Sequence, residues 1–224
     1  MPRLSLLTLN CFGVPTFATG PRLRALAREL NQSPYGVVCL QEVQAHGYAR
    51  LLTAACTAYG ASASEPFLHA PKGGLLTLAR GPIARREFIL YRERSVVGPP
   101  ALMDWALHKG VLLTELLVDG QPVVVLNTHL NANYFASWGR GSRYAEVERR
   151  QLLQLAEIVR AQPAEALVVA AGDFNVPRGS WLYDEFLEAS GMRDPLAGDR
   201  RPTLRLPRGV PARLAMPIDF ALVR

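Results

Sequence analysis

Four apolar runs, each ending in a short polar cluster, constrain this chain more than any other feature. LSLLTLN ends at Asn10 and VVCLQE at Gln41 and Glu42. VVVLNTHLN ends in Asn127, His129 and Asn131, and LVVAAGDFN ends in Asp173 and Asn175. Each run has the length and aliphatic content of a buried strand. In open α/β sheets, ligand sites form beyond the carboxyl ends of the strands. Four tips carrying carboxylate, amide and imidazole groups therefore imply one shared site built from segments far apart in sequence. A fifth run, PIDFALVR, carries Asp219 and closes the sequence.

The segments between these runs set the fold class. The first strand is expected over 4–10, a helix over 20–31 with Pro21 in its first turn, a strand over 37–41 and a second helix over 46–57. Short strands broken by glycine and proline fill 61–91, and Gly98-Pro99-Pro100 marks a loop. Residues 109–118 and 122–130 read as a hairpin turning on Asp119-Gly120. A long amphipathic helix follows over 142–161, with Tyr144, Val147, Gln151, Leu155 and Ile158 along one stripe. A strand over 166–172, a helix over 180–190, a loop over 193–217 and a last strand over 218–223 complete the chain. Strands are joined both by hairpins and by helices. That combination predicts mixed α/β architecture, two packed sheets with helices outside, in a single domain over 1–224.

Composition narrows the class further. With 224 residues, 49% hydrophobic and 20% charged, the chain is expected to be globular. No stretch approaches the roughly 20 apolar residues that span a bilayer, and the N-terminus reads straight into a strand rather than a signal peptide. A cytoplasmic location is the expectation. Cys11, Cys39 and Cys56 lack metal-ligand spacing and read as free, buried thiols. The formal charge of +6 favours phosphate-bearing partners, either nucleic acid or an anionic membrane surface. Arg193, Arg200, Arg201, Arg205, Arg208 and Arg213 crowd one segment; a solvated basic face explains them equally well.

The strand tips carry the chemistry. Alternation places Asp173 and Asn175 on one side of their strand, where a carboxylate and an amide can orient water and bind a phosphate oxygen. An Asx turn closing the strand is the plainer alternative. Asn127, His129 and Asn131 share a face by the same rule. His129 then reads either as a charge-stabilising group or as a satisfied structural histidine. Glu42 is a hard oxygen donor; with Asn10 and Asp219 it suits Mg²⁺ or Mn²⁺. Its alternative role is a helix N-terminal acid, and that of Asn10 is a turn residue.

Taken together, LTLNCFG, CLQEV, GGLLTLARGPI, KGVLLTEL, LNTHLN, AAGDFNVP and PIDFALV resemble the endonuclease/exonuclease/phosphatase superfamily over nearly the whole chain. Within it, TLNCFGVP and DWALHKGV are most similar to the neutral sphingomyelinase branch. The resemblance implies a four-layer α/β sandwich with two mixed sheets, and a metal-dependent phosphodiesterase acting on a phospholipid or a nucleic acid. It implies Glu42 as the main metal ligand with Asn10 in the metal shell. His129 would bind the scissile phosphate, Asn131 would hold that region, Asp173 would orient or activate water, and Asn175 would bind a phosphate oxygen. Asp219 matches a carboxylate that orients a second histidine.

That second histidine belongs, by the resemblance, to a later Ser-Asp-His segment on one more strand, and no such segment stands before Arg224; the expectation is either a fragment of a longer chain or a protein that lacks the residue. A missing strand would leave a sheet edge unpaired. Of the other histidines, His46 starts a helix and His69 lies in a loop. Only His108, beside Lys109, lies in a segment that flanks the site by the resemblance, and it is the candidate to substitute for the second histidine beside Asp219. Two expectations follow: a phosphodiesterase, or a member of the same fold that binds phosphate and metal without turnover.

Overall fold

The computed structural model describes residues 4–94, 108–133, 136–204 and 215–224. The loop expected at Gly98-Pro99-Pro100 and the arginines at 205, 208 and 213 lie outside these residues. Eleven strands, four α-helices and one short 3₁₀ turn are seen in the described residues. In chain order they are β1 (Leu6–Asn10), α1 (Thr19–Gln32), β2 (Val37–Gln41), α2 (His46–Ala55), β3 (Ala61–Ala63), β4 (Pro66–Phe67) and β5 (Ala70–Pro71). After the 3₁₀ turn Lys72–Gly74 come β6 (Leu76–Ala79), β7 (Ile83–Leu90), β8 (Gly110–Val118), β9 (Gln121–His129) and α3 (Arg143–Arg160). The chain then forms β10 (Leu167–Asp173), α4 (Trp181–Ser190) and β11 (Asp219–Val223).

Two sheets result, both mixed. One has the order β1-β2-β6-β3 and the other β11-β10-β9-β8-β7, while β4 and β5 form a separate small ribbon. β1 runs parallel to β2, and β9 parallel to β10; β8 and β11 run antiparallel to their neighbours. The β8–β9 hairpin turns on Asp119 and Gly120 with φ of 51° and 76°, the double left-handed turn that Asp-Gly favours.

The alternation of side chains along the strands explains the layering. Val38 and Leu40 of β2 pack with Leu23, Leu30 and Leu52 of α1 and α2. Val124 and Leu126 of β9 and Val168 and Ala170 of β10 pack with Leu152, Leu155 and Phe186 of α3 and α4. The opposite faces meet each other: Val37 and Cys39 from the first sheet pack with Val123, Val125, Val169 and Ala171 from the second. Three apolar interfaces separate four layers, helix, sheet, sheet, helix. Fully burying an aliphatic side chain in such an interface stabilises by about 1.5–3 kcal/mol.

Small departures from the expected boundaries have local causes. β1 begins at Leu6 rather than residue 4, and α2 ends at Ala55, with Cys56 as its cap. α3 starts where Ser142 caps it by accepting a hydrogen bond from the Ala145 N–H. All three cysteines are free and buried, and burial pushes the Cys11 and Cys39 thiols up to about 12. β1 and β3 bound the first sheet and β11 and β7 the second, and on the outer side of β11 Val223 forms a bridge with Arg193. No helix among the described residues is long and apolar enough to cross a membrane.

Candidate active site

The strand faces that bury Val37, Cys39, Val125 and Ala171 between the sheets carry polar groups at one end. Alternation extends these faces to Asn10 on β1, Gln41 on β2, His129 on β9, Asp173 on β10 and Asp219 on β11. Register aligns them. His129, Asp173 and Asp219 are direct partners across β9, β10 and β11, and Asn10 is the partner of Gln41 across β1 and β2. Strands in a sheet lie about 4.8 Å apart, so the row of three spans roughly 10 Å. Each sheet therefore brings its polar row to the same edge of the inter-sheet layer.

Asn10 joins the two rows. Its Nδ2 donates to Glu42 Oε1 at 2.8 Å and to Asp173 Oδ2 at 2.9 Å, linking residues 163 positions apart. Its Oδ1 accepts the Phe12 N–H at 3.0 Å, so Asn10 is also the turn residue that its plainer reading expected. Asp173 Oδ2 lies 3.8 Å from His129 Nε2, and its Oδ1 accepts the Asn175 N–H at 3.0 Å. An Asx turn does close β10, and the same carboxylate faces the site. The alternatives weighed for Asp173 and Asn10 are thus both present at once.

Glu42 does not act as a helix N-terminal acid. The cap of α2 is Ala45, and its first turn contains no acidic residue. Glu42 instead adopts left-handed backbone with φ 58°, a conformation uncommon for glutamate. Its neighbours impose this. The Gly13 N–H donates to the Glu42 carbonyl at 2.9 Å, and a Cβ on Gly13 would stand 2.1 Å from that oxygen. Gly74, itself at φ 65°, packs so closely that a Cβ would lie 3.1 Å from the Glu42 Cα. Two glycines clamp the peptide that aims this carboxylate.

Asn131 departs from expectation. β9 ends at His129, so alternation no longer governs residue 131. Its side-chain oxygen accepts from Gln151 Nε2 of α3 at 2.5 Å, and its N–H donates to Gln151 Oε1 at 3.0 Å. It anchors the loop after β9 to the helix layer instead of sharing a face with His129. Asn175 reaches the site by a left-handed turn (φ 52°), and its Nδ2 donates to the Leu130 carbonyl at 3.0 Å.

Lys109 is the residue that motif reading underweighted. Only 3% exposed, it places Nζ 3.1 Å from His129 Nε2 and 2.6 Å from the Leu130 carbonyl. An ammonium can only donate, so His129 Nε2 accepts and Nδ1 carries the proton. The signal was available: Lys109 is one of two lysines in an arginine-rich chain and sits in KGVLLTEL. His108 does not serve Asp219. Its ring stacks on Phe67 at 4.3 Å, beside β8, three strands from β11 in sheet order.

Burial and neighbouring charges govern the electrostatics of this edge. Burial, then the Lys109 charge, drives the His129 pKa well below 6.5, so the imidazole is neutral at pH 7. Burial, then the neighbouring Asp219 charge, raises Asp173, while Asn10 opposes the rise. Burial also raises Asp219, and the Thr203 hydroxyl opposes that shift. Two atoms at this edge, His129 Nδ1 and Asp219 Oδ1, are buried without a hydrogen-bond partner. Buried polar atoms are usually paired, and such exceptions mark places where a ligand, ion or water belongs.

The family follows from the chain's match to known sequences. The model of the endonuclease/exonuclease/phosphatase family matches residues 7–224. The chain belongs to that family. A Drosophila melanogaster protein named "Putative neutral sphingomyelinase" is 31% identical over 203 residues, covering 88% of this chain but 44% of the fly protein. The chain thus spans less than half the length of that relative. Sphingomyelinase C from Streptomyces griseocarneus superposes with a TM-score of 0.72 at 24% identity, over 100% of this chain and 84% of that one. A β-hairpin deletion mutant of Staphylococcus aureus beta toxin gives 0.75 at 18% identity, over 100% and 87%. D. rerio TDP2 complexed with a single-strand DNA product gives 0.73 at 17% identity, over 99% and 83%. These structural likenesses establish the four-layer fold.

Proposed function

We propose that this chain is a divalent-metal-dependent phosphodiesterase, with Mg²⁺ or Mn²⁺ as its metal. The observation that carries the reading is the convergence of Glu42, Asn10, Asp173 and His129 at one sheet edge, held by two hydrogen bonds from a single amide. The donor set suits such a cation. Mg²⁺ takes one or two carboxylates and keeps several waters, so Glu42 would suffice as its carboxylate; among the described residues no group of three or more His, Cys, Asp or Glu side chains gathers to hold a metal ion. The raised Asp173 and Asp219 mark an excess of buried negative charge that a cation would relieve. A Staphylococcus aureus beta toxin variant of the same fold has been crystallised with bound magnesium ions. Glu42 is the ligand and Asn10 belongs to the metal shell. When bound, the cation supplies Lewis acidity and neutralises charge on a phosphoryl oxygen.

The chain's own groups account for the rest. Asp173, fixed by Asn10 and the Asn175 N–H, would orient a water and accept its proton in its ionised form, which a bound cation favours. Asn175 presents its carboxamide to a phosphate oxygen. Lys109 sets its positive charge against His129 Nε2, which leaves the unpartnered Nδ1–H of His129 to donate to charge developing at phosphorus, where a pre-set donor is most effective. Asn131 holds the strand tip through Gln151. Asp219 closes the row on the β11 side and adds to the negative charge that a cation would offset.

The substrate reading is a phospholipid phosphodiester of the sphingomyelin kind, supported by the name of the fly relative. Nucleic acid is the competing phosphodiester, in line with the basic charge and the TDP2 complex. Purified protein is assayed on sphingomyelin in mixed micelles and on a single-stranded oligonucleotide, each with Mg²⁺ and with EDTA. Metal-dependent release of phosphocholine supports the lipid reading; cleavage of the oligonucleotide alone moves the assignment to nucleic acid. The unpartnered Asp219 Oδ1 favours a second reading, a phosphate- and metal-binding protein without turnover. Mg²⁺ binding by calorimetry with no hydrolysis of either substrate is its signature.

A further inference from the structure

Asn175 sits in left-handed backbone directly after β10, and three bonds fix it. Two come from the site itself: its N–H to Asp173 and its Nδ2 to the Leu130 carbonyl, each at 3.0 Å. The third comes from outside. Trp138, in the loop between β9 and α3, donates its indole Nε1–H to the Asn175 carbonyl at 3.2 Å, across 37 residues. Trp138 is held in turn. Its carbonyl accepts the indole N–H of Trp181, the first residue of α4, at 2.6 Å, and the Arg140 guanidinium lies 4.5 Å from the Trp181 ring centre. Two of the chain's three tryptophans thus form a relay from α4 to the peptide that aims the Asn175 side chain.

Packing alone does not explain this arrangement. Trp138 and Trp181 lie only partly buried against the sheet–helix core, yet each turns its indole N–H to a backbone carbonyl, and the Trp138 N–H also reaches the buried Glu148 side chain. A left-handed asparagine needs its surroundings to hold it. Fixing the carbonyl of residue 175 restrains ψ there, and with it the direction of the carboxamide. We propose that Trp138 is a positioning residue for phosphate recognition, acting through Asn175, with Trp181 as its support. This rests on the phosphodiesterase reading given above.

Trp138→Phe tests it, because phenylalanine keeps an aromatic ring in place and removes the N–H. Full-length protein is assayed with Mg²⁺ on a generic phosphodiester, with inorganic phosphate as inhibitor and as calorimetric ligand. The expected result is a fall in kcat/KM of roughly tenfold to a hundredfold, as for a displaced catalytic group. Phosphate affinity weakens in parallel, the Mg²⁺ concentration for half-maximal binding stays unchanged, and melting shifts little. Wild-type kcat/KM and phosphate affinity in Trp138→Phe overturn the proposal, as does a loss of Mg²⁺ affinity in step with activity, which marks general collapse of the site. Trp181→Phe gives a smaller change with the same pattern and carries the test if Trp138→Phe fails to fold. If the wild-type protein binds phosphate without hydrolysing the diester, the phosphodiesterase reading fails alone. The calorimetric comparison then decides the role of Trp138. If it binds no phosphate, both fall.

Discussion

At the residue scale, the site depends on a few side chains that each do two jobs. Asn10 closes a turn with its oxygen and ties Glu42 to Asp173 with its nitrogen. Asp173 closes an Asx turn and faces His129. Glu42, His129 and Asp173 were legible in the sequence because a polar residue at the end of a buried strand has no packing reason to be there. Lys109 was not singled out, since a lysine before a strand reads as an ordinary surface charge; its burial comes from the neighbouring strand tip, which lies 20 residues away. Alternation predicts a shared face for His129 and Asn131, but β9 ends at His129 and Gln151 of α3 holds Asn131 instead. Lys109→Met removes the one cation that, among the described residues, lies within hydrogen-bond reach of His129. It is expected to lower kcat by about 10²–10³-fold, the usual loss for one donor at developing charge, in a steady-state assay on a generic phosphodiester. Wild-type kcat in that variant would reduce Lys109 to a structural tie for Leu130.

At the element scale, α3 shows how a helix reaches the site without lining it. Its sequence stripe, Val147, Gln151, Leu155 and Ile158, is buried as the 3.6-residue period required, whereas Tyr144 is only half-buried. The same face also buries Glu148, which no periodicity argument singled out. Glu148 is 1% exposed, Oε1 has no partner, and burial pushes its pKa up to about 9, with Asn133, Trp138 and Lys109 opposing. From about pH 4.5 to 9 the folded state keeps a proton on Glu148 that the unfolded chain has already lost, so stability falls as pH rises through that window. Depressed His129 acts in the opposite sense, its contribution being lost as pH falls below about 6.5. Glu148→Gln keeps the shape of the side chain and does not titrate. Thermal melts from pH 5 to pH 9 should show the variant losing less stability than wild type; parallel curves would mean that Glu148 is charged in the folded protein.

At the scale of the whole molecule, the site exists because two mixed sheets are pinned together near their functional edge. Mixed connectivity was readable from the hairpin and the helix-joined strands. The four-layer count came from family resemblance, because period-two patterns say which faces are buried but not what buries them. The pins are legible in the sequence only as polar tips, not as links between sheets. Asn127 of β9, fully buried, accepts from Gln41 Nε2 at 2.8 Å and donates to the Leu40 and Leu76 carbonyls at 3.3 and 3.2 Å, all in the opposite sheet. Asn127→Ala leaves those groups unpaired between the sheets, at a cost on the order of 3 kcal/mol. The urea midpoint should drop with the slope m preserved. A shift below about 0.5 kcal/mol would show that water replaces the asparagine.

The central claim is that both sheets bring Glu42, Asn10, Asp173, His129 and Asn175 to one metal-dependent phosphodiester site. Hydrolysis of a generic phosphodiester, such as bis(p-nitrophenyl) phosphate, tests it directly, with Mg²⁺ or EDTA and with wild type or Asp173→Ala. Turnover that needs Mg²⁺ and is lost in Asp173→Ala, while Mg²⁺ still binds that variant, is the predicted result. Equal rates in wild type and Asp173→Ala, or turnover indifferent to EDTA, would contradict it.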